Sequence, residues 1–138
     1  MVWVELVMDK KGDKMIKRVA VIDDEKFTHK LVQQFLSQVG YEAVFFESGE
    51  EALKYLQQDN RFDLILLDYL MAGIDGYETL HHLKEKEWTK SIPVIIVSAL
   101  DDEEEKNRLI KAGAMAFIAK PLQYHSLIET IQKSIRSD

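Results

Sequence analysis

Phe62-Asp63-Leu64-Ile65-Leu66-Leu67-Asp68-Tyr69-Leu70-Met71-Ala72-Gly73-Ile74-Asp75-Gly76 decides the fold. Leu64, Ile65, Leu66 and Leu67 are aliphatic on both faces of an extended chain, as a strand covered on both sides of a parallel sheet requires. The run ends in a carboxylate, Asp68, and then in a loop punctuated by glycine. Open α/β sheets place their ligand sites at the carboxyl ends of strands, so Asp68 stands where a site is expected.

Upstream, Arg18-Val19-Ala20-Val21-Ile22 is a short strand that ends at Asp23-Asp24-Glu25. Leu31, Val32, Phe35, Leu36 and Val39 then recur at helical spacing, with Gly40 as the stop. Residues 41–46 read as a second strand, and the flanking Glu42 and Glu47 place it toward a sheet edge. Ser48 with Glu51 is a capping-box pattern opening a helix whose apolar stripe is Ala52, Leu53 and Leu56. Asp75 and Glu78 repeat the pattern for a helix carrying Leu80 and Leu83.

Downstream, Ile92-Pro93 opens a fourth strand over residues 94–97, which ends at Ser98-Ala99. Asp101-Asp102-Glu103-Glu104-Glu105 starts the next helix with acids at the positive end of its dipole. That helix has chiefly Leu109 and Ile110 to anchor it before Gly113, which makes it a candidate for movement. Residues 114–119 read as a fifth strand, followed by Lys120-Pro121. The last helix, from about Gln123, presents Leu127, Ile128, Ile131 and Ile135 inward. Alternating strands and helices predict a single doubly wound α/β fold: a five-stranded parallel sheet in the flavodoxin-like order 2-1-3-4-5, with five helices.

A chain of 138 residues fits one domain with a single core. Its apolar fraction of 46% and charged fraction of 30% belong to a globular protein, and its net charge of −6 argues against binding the phosphate backbone of a nucleic acid. No cysteine is present, which excludes a disulfide framework and fits a reducing compartment; a cytoplasmic location and no membrane span are expected. Residues 1–16 read as an N-terminal extension or leader, and residues 17–138 as the folded domain. Met1–Met8 is apolar, but the lysines follow it rather than precede it, so it lacks the order of a secretory signal.

In the expected strand order, Asp23, Asp24 and Asp68 converge at the switch point, and Ser98 and Lys120 enter from neighbouring strand ends. Clustered carboxylates repel one another, and one lysine leaves an excess of negative charge that a divalent cation would balance. Oxygen ligands without His or Cys favour Mg²⁺. A carboxylate can act as a nucleophile, and phosphoryl transfer needs mainly in-line positioning and charge neutralisation. Asp68 is therefore a candidate phosphoryl acceptor. His29, His81, His82 and His125 are scattered over helices and read as surface residues rather than ligands.

Asp23-Asp24, Asp68, Ser98 and Lys120-Pro121, each at a different strand end, resemble the response-regulator receiver domain of two-component signalling, the CheY-like family. The resemblance implies a phosphoprotein that takes a phosphoryl group on Asp68 from a histidine kinase or a histidine phosphotransfer protein. It implies Mg²⁺ held by Asp24, Asp68 and the backbone carbonyl of Leu70, with Asp23 acting through water. Ser98 and Lys120 would hold the phosphoryl group, Phe117 matches the switch aromatic, and the Lys120-Pro121 bond is expected to be cis. A downstream protein, or a second copy of the chain, would be recruited through the face of helix 4, strand 5 and helix 5. Such a module is not an enzyme beyond its own phosphorylation and dephosphorylation.

Ala72 departs from the proline common in the family. Tyr69, Leu70 and Leu100 are bulky at positions that govern water access, which predicts slow self-dephosphorylation. Three other readings compete. A haloacid-dehalogenase-type phosphatase needs an Asp-x-Asp that Asp23-Asp24-Glu25 does not supply. A flavodoxin-like cofactor binder needs a Gly/Thr-rich phosphate loop after the first strand, and a degenerate receiver serving as a docking module would not need the acids, Ser98 and Lys120 intact. The chain reads either as a stand-alone regulator or as a receiver from a longer protein.

Overall fold

Branched aliphatic runs build the sheet, and the polar, capped segments between them build the helices. The computed structural model describes residues 16–71, 73–99 and 101–136; Ala72, Leu100 and nearly all of the N-terminal extension lie outside them. In chain order the elements are β1 (Arg18–Ile22), α1 (Lys26–Gln38), β2 (Glu42–Phe46), α2 (Gly49–Leu56), β3 (Leu64–Asp68), α3 (Gly76–Glu85), β4 (Val94–Ser98), α4 (Glu103–Lys111), β5 (Ala116–Ala119) and α5 (Tyr124–Arg136). The strands form one parallel sheet in the order β2-β1-β3-β4-β5, as the sequence predicts.

Alternate residues along a strand point to opposite faces, so each strand feeds two cores. On one face Ala20, Ile22, Ile65, Leu67 and Ile96 pack with Ala52 and Leu56 of α2, Leu80 and Leu83 of α3 and Leu109 of α4. On the other, Val19, Val21, Leu64, Leu66 and Ile95 pack with Val32 and Leu36 of α1 and Leu127, Ile128 and Ile131 of α5. Every residue of β3 and of β4 is buried, which is why their sequences do not alternate. Glu42 is exposed on β2, one of the two edge strands of this sheet.

The caps form as read. Ser48 accepts from the Glu51 N–H at 3.1 Å, and Asp75 from the Glu78 N–H at 2.9 Å. Gly40 takes a positive φ of 74° just past α1, a conformation that any side chain would strain.

Two boundaries and one anchor differ from expectation. β2 starts after Tyr41, whose N–H turns back to the Leu36 carbonyl at 3.0 Å. β5 starts after Met115, because the Ala114 N–H still closes the α4 terminus on the Leu109 carbonyl at 3.1 Å. Ile110 is exposed rather than anchoring; Leu109 alone is buried in α4. Polar contacts supplement it: Glu105 hydrogen-bonds the Tyr69 side chain and Arg108, and the Arg108 guanidinium lies 3.6 Å from the Tyr77 ring centroid.

At the amino end of β1, Arg18 bonds Glu42 at 2.9 Å, Asp59 at 3.1 Å and the Arg61 carbonyl at 3.0 Å, and stacks over Phe62 at 4.3 Å. This clamp ties β1, β2 and the approach to β3 at the end of the sheet opposite Asp23.

Candidate functional site

The site grows from the carboxyl ends of β1, β3, β4 and β5. Asp23 follows β1 and is buried. Its backbone N–H donates to the Phe46 carbonyl at 3.0 Å, and its Oδ1 accepts the Glu25 N–H at 2.8 Å, so the acid is held by both sides of its loop. Glu25, rather than either aspartate, is the N-cap of α1. Asp24 is exposed. His29, read from sequence as a surface residue, is half-buried: a ring nitrogen meets the Asp23 carbonyl at 2.6 Å and the ring lies 4.9 Å from that of Phe45. It frames the loop that carries the acids.

Asp68 ends β3 and is only 4% exposed. The chain turns back at once, with the Gly76 N–H donating to the Tyr69 carbonyl at 2.8 Å. A Cβ on Gly76 would stand 2.6 Å from the Tyr69 Cα and 2.8 Å from the Asp68 carbonyl oxygen, so the return of the chain beside the acceptor needs a glycine there. Burial, then the field of Asp23, pushes the Asp68 carboxyl up to about 6 against the pull of Lys120.

Lys120 follows β5, and its peptide bond to Pro121 is cis, as expected. Its Nζ lies 3.0 Å from Glu25 Oε1, 3.1 Å from Asp23 Oδ2 and 3.4 Å from Asp68 Oδ1. Burial works against the ammonium, but the bonds to Glu25 and Asp23 and the charge of Asp68 outweigh it and hold its pKa above the ordinary range. Its backbone N–H donates to the Ser98 carbonyl at 2.9 Å. Ser98 is buried at the end of β4, one residue past Val97, the register partner of Asp68.

Leu70 is 60% exposed on the rim. Phe117 is half-buried in β5 opposite Ile96, with the Lys106 ammonium 5.2 Å from its ring centroid. The sequence-predicted residues thus come together as a set of acids and one lysine, with Ser98 beside them and Phe117 on the neighbouring strand. Glu25 is the participant that sequence reasoning did not single out. Its adjacency to Asp23-Asp24 was the available signal, and with it three carboxylates, Asp23, Glu25 and Asp68, meet one ammonium.

One carboxylate oxygen from each of Asp23, Asp24 and Asp68 lies within 4.8 Å of the others. Oxygens on an octahedron with Mg²⁺ bonds of about 2.1 Å are at most about 4.2 Å apart, so a small approach of side chains completes a hard, all-oxygen donor set. The residues fit that ion. Behind Asp23 and Asp68 the cavity is only about 10 Å³, lined by Val21, Thr28, Val32, Leu66 and Leu122 among others. A cavity of that size is too small for an organic substrate.

The family model described as the response regulator receiver domain matches residues 19–132. The chain is 35% identical over 118 residues to the polar-differentiation response regulator DivK of Brucella ovis, covering 86% of this chain and 95% of DivK. Its fold matches the chemotaxis protein CheY4 of Vibrio cholerae with a TM-score of 0.81 at 27% identity, covering 86% of this chain and 98% of that one. It also matches the phosphorylated cyanobacterial phytochrome response regulator RcpA, with a TM-score of 0.74 at 29% identity over 85% of this chain and 89% of that one. Among the described residues, no helix is long and apolar enough to cross a membrane.

Proposed function

The chain belongs to the response regulator receiver domain family, and from that premise we propose that Asp68 accepts a phosphoryl group from the phosphohistidine of a histidine kinase or histidine phosphotransfer protein. The observation that carries this reading is one ammonium, Lys120, within 3.4 Å of the buried carboxylate that ends the central strand. In the transfer, an Asp68 carboxylate oxygen bonds to phosphorus. The phosphorus–nitrogen bond of the donor breaks, and the imidazole leaves with its electron pair. A carboxyl that titrates near 6 is predominantly the nucleophilic anion at neutral pH.

Lys120 meets the negative charge that spreads over the phosphoryl oxygens, and the Ser98 hydroxyl donates to one of them. Receiver domains bind Mg²⁺ at an acidic pocket; here Asp24, Asp68 and the Leu70 carbonyl would hold it, with Asp23 acting through water. When bound, the ion supplies positive charge against the phosphoryl oxygens.

Residues 17–138 form the receiver domain in this reading, with residues 1–16 ahead of it, and the protein works in the cytoplasm. Ser98 moving toward the phosphoryl group is coupled to an inward turn of Phe117. The face of α4, β5 and α5 then recruits a downstream protein or a second copy. Incubation with acetyl phosphate and Mg²⁺, followed by intact-mass measurement, tests the assignment. Wild type should gain one phosphoryl group and Asp68→Asn none. An adduct of wild-type yield in Asp68→Asn refutes Asp68 as acceptor, and no adduct in either protein supports a docking module instead.

A further inference from the structure

Glu25 has no part in the mechanism above, yet it makes the shortest of the three contacts to the Lys120 ammonium, 3.0 Å against 3.1 Å for Asp23 and 3.4 Å for Asp68. Its position is fixed from several sides. Its N–H donates to Asp23 Oδ1 at 2.8 Å, its carbonyl accepts the His29 N–H at 3.3 Å, and its Oε1 accepts the Thr28 hydroxyl at 3.5 Å. Exposure separates it from the other two acids: its side chain is 60% exposed, against 3% for Asp23 and 5% for Asp68.

Water competes well for an exposed ion pair and poorly for a buried one. Of the three carboxylates, Glu25 is therefore the one Lys120 can leave at least cost. Transfer to Asp68 needs the ammonium on the incoming phosphoryl oxygens, and those oxygens compete with Glu25 for the same donor hydrogens. We propose that Glu25 is a positioning residue that draws Lys120 toward the rim before transfer and releases it to the phosphoryl group, so that it limits the rate at which Asp68 is phosphorylated. The inference rests on Asp68 being the acceptor. It adds no new site; it assigns regulation of the same site to a residue outside the reacting set.

Glu25→Gln keeps the size and the acceptor oxygen of the side chain and removes its charge. The rate of adduct formation from acetyl phosphate and Mg²⁺, followed by intact mass, should rise about two- to fivefold, the factor an ion pair with one exposed partner is worth. In a Lys120→Gln background the same substitution should change nothing, because the effect runs through the ammonium. Glu47→Gln removes a negative charge from the exposed residue just past β2 and should leave the rate unchanged. An unchanged or slower rate in Glu25→Gln overturns the inference. A rise that persists without Lys120, or one that Glu47→Gln reproduces, overturns it too, since both mean general repulsion of the anionic donor. These outcomes presuppose a wild-type adduct; its absence overturns the acceptor assignment, and the inference with it.

Discussion

Asp68→Asn should stabilise the metal-free protein at neutral pH and leave it nearly unchanged in acid. The folded protein holds the Asp68 carboxyl at about 6, against an ordinary 3.8, because burial and the nearby Asp23 disfavour its charge. Between those values the folded state binds more protons than the unfolded one, so this group's contribution to stability falls as pH rises from about 4 to 6 and stays lost above. The shift corresponds to roughly 3 kcal/mol between the two protonation states, and relaxation of the site around the charge leaves about 1–2 kcal/mol. Asparagine keeps the shape and removes the charge, while Lys120 retains Asp23 and Glu25 as partners. Thermal melts with chelator at pH 4, 6 and 7.5 should show a gain of about 4–8 °C for the variant at pH 7.5 and little at pH 4. Equal melting at pH 7.5, or an equal gain at pH 4, would refute the claim that the folded site penalises the ionised carboxylate.

Arg18→Ala should cost about 1–3 kcal/mol in urea unfolding, because it removes the more buried of the two cations on Asp59 and uncovers Phe62; a loss under 0.5 kcal/mol contradicts the clamp. Tyr69→Phe removes the hydroxyl that bonds Glu105, so amide exchange in α4 should accelerate several-fold while global stability falls by only about 1 kcal/mol. Unchanged α4 exchange would show that the Tyr69–Glu105 bond does not anchor the helix. Of the two described residues assigned to shielding the acyl phosphate, Leu70 is exposed on the rim, whereas Tyr69 is buried with its hydroxyl engaged by Glu105. Leu70→Asn should shorten the phosphoryl lifetime measured by loss of adduct mass, and an equal or longer lifetime removes the argument for shielding.

Local signals transferred well to the structure. The aliphatic run before Asp68 became a strand buried at every position, since only a central parallel strand tolerates such a sequence. Ser48 and Asp75 became N-caps because a cap is decided within four residues. The position of Asp68 at a strand's carboxyl end followed from the alternation of elements alone. What stayed hidden depended on partners far apart in the chain. Glu25 and Lys120 are 95 residues apart, so their contact appears only once β1 and β5 are arranged around β3 and β4. Ile110 reads as an anchor by its type, yet the rotation of α4 is set by Leu109 on one side and by Arg108 over Tyr77 on the other. His29 has nothing in its own helix that marks it; its place comes from the Asp23 carbonyl and from Phe45 on β2.

The acceptor is tested most directly by borohydride reduction of the phosphorylated protein, which converts an aspartyl phosphate to homoserine, followed by peptide mapping. The account predicts one converted residue, Asp68, with Asp23, Asp24 and Glu25 unmodified. Conversion at any of those three acids, or a phosphoryl group retained on a histidine or serine, would contradict it.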